Sequence, residues 1–298
     1  MQISNANLQF AYENFQTRLQ EVKNYVVFVK KLADISSPAV SEERYIEKYI
    51  DDKLNFSFNL NSLFPIQRRV VDPLQQRTET DNFNWINVLT VEPQSTRTPT
   101  RSDFACHKID RELQKTLRAS TYLLLYNLME STMSESINAI HETIRDENRN
   151  LLELSEKLHK VILQSFSKGL TNEKVSEFSR DNADIRDRIF DLGYDKKKLF
   201  SGNIDCGVID EYCKKYDIRI SPYKIDSQPL LWNPDKIEDI RKKRNSLAHG
   251  SESFAQCGQN MPIDSIDDNL QSVEAVLMGV FNGLNNFLTR QKYLRASQ

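Results

Sequence analysis

Between residues 106 and 148 apolar side chains recur at intervals of three and four, with no proline and no glycine to interrupt them. That pattern predicts one continuous helix, which at the usual rise per residue is about 60 Å long. A rod of this length serves as the spine of a fold. The rest of the chain agrees with a helical class: it holds eight glycines and nine prolines in 298 residues, roughly half the usual share. Sandwiches, propellers and collagen-like repeats are disfavoured, and a mainly α fold is expected.

Helical spacing also predicts a long helix over residues 10–32 and a short one over 41–54, where Ser41 is a suitable N-cap. Over 55–91 the period shortens to two, as in Asn55-Phe-Ser-Phe-Asn-Leu-Asn61, so a small hairpin-like β element is expected there. Residues 90–103 read as a loop. After the spine, helices are expected over 151–167, 171–180, 185–191, 206–216, 234–249 and 264–292. This organisation suggests two parts: residues 1–104, with N-terminal helices, the β element and the loop, and a helical domain over 105–298.

Composition excludes several functions. The net charge of −2 argues against a protein that coats nucleic acid by bulk charge, so any nucleic-acid site must be local. The longest apolar runs, 25–29, 122–126 and 276–281, are too short to span a bilayer. Neither a charged leader nor an apolar h-region opens the chain, and the expected location is the cytoplasm. Cys106, Cys206, Cys213 and Cys257 form no C-x-x-C pair, so reduced thiols without metal are expected. Phosphate-binding G-x-x-x-x-G-K-[ST], dinucleotide-binding G-x-G-x-x-G, H-E-x-x-H and G-x-S-x-G are all missing from the sequence. ATP hydrolysis, Rossmann oxidoreduction, zinc proteolysis and α/β-hydrolase chemistry thereby drop out.

Two residues stand where their type is unexpected. Read in steps of three and four, the spine offers the stripe Leu123, Tyr126, Glu130, Met133, Ile137 and Ile140, and one member is a carboxylate. The later helix offers Ile237, Ile240, Arg244 and Leu247, and one member is an arginine. A lone buried charge costs several kcal/mol or shifts its pKa. The simplest arrangement sets Glu130 against Arg244 across a helix interface. Such a pair suits either a structural salt bridge or the support of a working arginine.

The residues after Arg244 widen the choice. In Arg244-Asn-Ser-Leu-Ala-His249-Gly250 the histidine follows the arginine by five positions, about 140° away on an ideal helix. Asn245 and His249 share one face, with Arg241 a turn earlier. Gly250 suits the left-handed residue that ends a helix. A histidine there is a partner of the helix dipole or a proton carrier. Likewise, the run Arg241-Lys242-Lys243-Arg244 is a solvated face or a track for flanking phosphates.

The segment RNSLAHG resembles the R-x4–6-H signature of the HEPN superfamily, the "higher eukaryotes and prokaryotes nucleotide-binding" helical domains. Leu117-Arg-Ala-Ser-Thr-Tyr-Leu-Leu-Leu-Tyr-Asn-Leu-Met-Glu-Ser-Thr132 is similar to the spine helix of the MAE-type branch, whose members are regarded as ribonucleases. Gly202-Asn-Ile-Asp-Cys-Gly-Val-Ile-Asp-Glu-Tyr-Cys-Lys-Lys-Tyr-Asp-Ile218 resembles a third block of that branch. The likeness covers roughly residues 105–292 and extends to the helix at 10–32; residues 50–104 match no block of it.

The resemblance implies a HEPN-type helical bundle and an endoribonuclease that cleaves RNA without a metal or other cofactor. Attack of a ribose 2′-OH on its neighbouring phosphate needs a base, an acid and positive charge for the transition state. Accordingly His249 is assigned to proton transfer and Arg244 to phosphate stabilisation, with Asn245 and Glu130 as supports and Arg241, Lys242 and Lys243 as RNA-binding cations. One chain supplies a single histidine in the motif. A twofold homodimer along this helix would supply two, as family members are thought to do. The family further implies a toxin or antiviral effector restrained by an antitoxin or sensor partner. The alternative is a non-catalytic HEPN module that binds a nucleotide, RNA or a protein.

Overall fold

The computed structural model describes residues 1–34, 64–66, 69–71, 78–80, 84–89, 104–109, 111–170, 189, 200, 203–225 and 227–295. The fold is mainly α. Its elements are α1 (Ala6–Asp34), β1 (Phe64–Ile66), β2 (Arg69–Val71), β3 (Thr78–Thr80), β4 (Asn84–Leu89), β5 (Phe104–Ile109), α2 (Arg111–Asp146), α3 (Glu156–Gly169), α4 (Cys206–Tyr216), β6 (Lys224–Ile225), β7 (Gln228–Pro229), α5 (Pro234–Ala248), α6 (Phe254–Gln259) and α7 (Ile263–Thr289). A 3₁₀ turn over Leu151–Glu153 precedes α3. Expectations for a helix over 41–54, a loop over 90–103, a helix over 171–180 and nearly all of 185–191 lie outside the described residues. Among the described residues no helix is long and apolar enough to cross a membrane.

The chain forms two compact units, one of residues 1–23, 121–251 and 264–298 and one of residues 24–120 and 252–263. The boundary expected between 104 and 105 falls inside the second.

In the first unit α7 is buried nearly all round, from Ile266 to Leu288, as expected of a helix enclosed by others. Tyr12 meets Phe281 edge-on with ring centres 5.2 Å apart, and Phe15 lies 5.3 Å from the same ring. Two glycines on one face of α7 admit the extended segment that leaves α4. A Cβ on Gly283 would stand 2.4 Å from the Arg219 carbonyl oxygen, and one on Gly279 would stand 3.1 Å from Ile220 Cγ2. This close approach brings the chain from α4 across α7 towards α5. His141 of α2 is buried, with Nε2 2.9 Å from the Tyr216 hydroxyl of α4. Burial holds its pKa down at about 3, and the charge of Arg145 adds to the effect. The imidazole is therefore neutral and serves helix packing.

In the second unit β1, β4 and β5 form an antiparallel sheet in the order β1-β4-β5, and β2 pairs with β3. The β element expected over 55–91 is thus larger than one hairpin and draws in residues beyond it. The spine starts later than its apolar pattern: residues 104–109 pair along all of β4, from Asn84↔Ile109 to Leu89↔Phe104, and α2 begins at Arg111. Six residues of ladder pairing outweigh the local helical preference of this short run. Tyr25 donates to the Leu117 carbonyl oxygen at 2.8 Å. A capping box of Ser253 and Gln256 starts α6.

Candidate functional site

The helix that carries the motif has well-defined ends. Asn233 accepts from the Asp235 N–H at 2.9 Å, and Pro234 fills the first helical position, where its missing N–H is harmless. Ile237, Ile240 and Leu247 are buried. At the other end Gly250 is left-handed with φ 70°. Ser251 N–H donates to Ser246 O at 3.0 Å and Gly250 N–H to Leu247 O at 3.3 Å, the two bonds of a Schellman cap. His249 is the C-cap residue between Ala248 and that reversal, and it is exposed. Tyr122 of α2 donates to Asp239 at 3.1 Å and fastens α5 to the spine.

Arg244 occupies the expected place between Ile240 and Leu247, half-buried, but its partner differs from expectation. Its guanidinium carbon lies 4.4 Å from the centre of the Tyr126 ring. Among the described residues no ion pair joins it to Glu130. The face of an aromatic ring attracts a guanidinium while only one charge gives up water, whereas a buried ion pair desolvates two. Tyr126 is fully buried. Burial is the main cause raising its pKa; the N–H of Ile204 opposes it, the charge of Glu130 adds to it, and Arg244 and Arg241 oppose it. Glu130 therefore acts on the arginine's seat by its field rather than by contact.

Among the described residues, those leading into α4 add to the surroundings. Ile204 N–H donates to the Tyr126 hydroxyl at 3.1 Å. Asn203 Oδ1 accepts from Asn245 Nδ2 at 3.1 Å, and Asn245 Oδ1 accepts from Arg244 Nη1 at 2.9 Å. Asp205 accepts from Val208 N–H at 2.9 Å as the N-cap of α4. It also stands 3.0 Å from Arg241 Nε, an ion-pair distance without hydrogen-bond alignment.

The structure thus brings together Arg244, Asn245 and Arg241 of the expected set, with His249 at the end of the same helix. Lys242 pairs with Glu238 at 2.7 Å on an exposed face, and Lys243 is half-buried. Sequence reasoning placed Tyr126 on the stripe of the spine with Glu130 and missed it as the arginine's partner. It also missed Asn203 and Asp205, although both lie in the Gly202–Ile218 block that carried the resemblance. A groove of about 500 Å³, lined by Arg18, Glu21, Leu124 and Asn127 among others, takes in none of these residues. Among the described residues no three metal-ligating side chains converge.

A family profile described as HEPN_MAE_28990-like HEPN matches residues 11–293. The match runs through residues 50–104, which no block of the sequence resemblance reached. No curated protein matches the chain, and no solved structure does.

Proposed function

Since the chain belongs to the HEPN_MAE_28990-like HEPN family, a family of HEPN-type, ribonuclease-like modules, we propose that it is a metal-independent endoribonuclease. Its site is composite, formed by two copies of α5 about a twofold axis. The observation that carries this reading is the contrast between the two motif residues. Arg244 is half-buried and held by Tyr126 and Asn245, whereas His249 is exposed at the end of the same helix. A fixed cation suits a phosphate, and an accessible imidazole suits proton transfer.

In the reaction the 2′-hydroxyl gives its proton to one imidazole as its oxygen bonds to phosphorus. The bond from phosphorus to the 5′-oxygen breaks, and that oxygen takes a proton from the other imidazole. The products are a 2′,3′-cyclic phosphate and a free 5′-hydroxyl. The arginines carry the extra negative charge of the transition state. The biological setting we propose is a toxin or antiviral effector acting on RNA in the cytoplasm, restrained by an antitoxin or sensor.

Cleavage of total RNA by the purified protein in EDTA tests this. Wild type should yield discrete fragments with cyclic phosphate ends, whereas Arg244→Ala and His249→Ala, both folded and dimeric, should yield none. Unchanged cleavage by His249→Ala would overturn the mechanism. A second reading, a non-catalytic module that binds nucleotide, RNA or protein, is favoured by one observation: Arg241 and Lys242 already pair with Asp205 and Glu238. It expects no fragments from wild type and the same RNA profile from Arg244→Ala and His249→Ala.

A further inference from the structure

Among the described residues, four contacts around Arg244 form a circuit. The ring of Tyr126 carries the guanidinium, Arg244 donates to Asn245, and Asn245 donates to Asn203. The next residue along the chain, Ile204, donates its N–H back to the Tyr126 hydroxyl. Both ends of one buried side chain therefore hold the circuit, the ring at one side and the oxygen at the other. Asn245 spends its oxygen on the arginine and an amide hydrogen on Asn203, so its orientation is fixed from both sides.

We propose that Tyr126 is the positioning residue of this site, setting the plane of the Arg244 guanidinium for a phosphodiester and, through Ile204 and Asn203, the orientation of Asn245. The inference rests on the cleavage reading for its kinetic consequences and on geometry alone for its physical ones. An arginine side chain left to itself samples many rotamers, whereas a planar fork meets phosphate oxygens only in one orientation. Groups oriented beforehand stabilise the transition state without reorganising during the reaction. Loss of the ring should therefore appear in kcat and leave KM nearly alone.

The test uses Tyr126→Phe and Tyr126→Leu in the full chain. Tyr126→Leu should lower kcat by about tenfold, the order expected for a lost cation–π contact. Tyr126→Phe should rescue most of the rate, because the ring remains. A rate in Tyr126→Phe as low as in Tyr126→Leu, or a loss that falls on KM alone, would mean a merely structural role and overturn the inference.

A second readout needs no cleavage. The side-chain Nε–Hε signal of Arg244, identified by its disappearance in Arg244→Lys, should carry a ring-current displacement in wild type and Tyr126→Phe and lose it in Tyr126→Leu. The same signal position in wild type and Tyr126→Leu would overturn the inference. If wild type leaves RNA intact, the proposed activity falls, and this signal alone decides the role of Tyr126.

Discussion

The guanidinium of Arg244 rests 4.4 Å above the ring of Tyr126 and is not ion-paired with Glu130. An arginine on a core-facing stripe needs something to offset its lost water, and a ring face does so while leaving N–H groups for other acceptors. The carboxylate one turn along the spine keeps its field but not the contact.

This geometry predicts an unequal response to three truncations. Glu130→Ala should cost less than about 1 kcal/mol, because no buried pair is broken. Arg244→Ala should cost about 1–2 kcal/mol through the ring contact and the bond to Asn245. His249→Ala should stay within about 0.5 kcal/mol of wild type, its side chain being exposed. Urea unfolding measures all three, and a loss of several kcal/mol in Glu130→Ala would show that it does pair with Arg244 in solution.

Asp205 has two tasks that substitutions can separate. Asp205→Ala removes both the α4 cap and the partner of Arg241, and should cost about 1–2 kcal/mol. Asp205→Asn keeps a capping oxygen and loses only the charge, so its cost should be well below that of Asp205→Ala. Equal losses in thermal unfolding would mean that the ion pair, not the cap, dominates.

His141 ties stability to pH. Its pKa is about 3 in the folded chain against 6.5 for a free histidine, so below about pH 6.5 the unfolded chain takes up a proton that the folded one refuses. The contribution is complete above about pH 6.5 and is lost as pH falls towards 3, at up to about 1.4 kcal/mol per pH unit. Denaturant midpoints of wild type and His141→Gln between pH 7 and 4 should converge as pH falls. Parallel curves would contradict the burial argument.

The glycines of α7 should differ in cost. Gly283→Ala drives a methyl against the Arg219 backbone and should destabilise by about 1–3 kcal/mol. At Gly279 the nearest atom is a side-chain methyl, which can shift, so Gly279→Ala should cost less. Calorimetry of both variants decides, and the reverse order would contradict the close approach of this segment.

The sequence was most informative where local chemistry decides the outcome. α4 emerges at its expected bounds and α5 within one residue of them, because each carries a side-chain N-cap, Asp205 and Asn233, followed by a periodic apolar stripe. The end of α5 at Gly250 was equally legible, since few residues accept a positive φ. Spacing along one helix fixes a face but not what that face meets. Glu130 and Tyr126 lie on the same stripe of the spine, and only the packing of α5 selects the ring as the seat of Arg244. β5 was missed for a related reason, because its partner strand lies fifteen or more residues earlier.

The Schellman cap at Gly250 separates two kinds of inheritance. The helix closes through Ser251 and Gly250 before the next segment begins, so His249 takes its position from the helix and not from the chain beyond the cap. Insertions, deletions or new sequence after Ser251 can alter the contacts made by this end of the molecule while the imidazole stays at the same address.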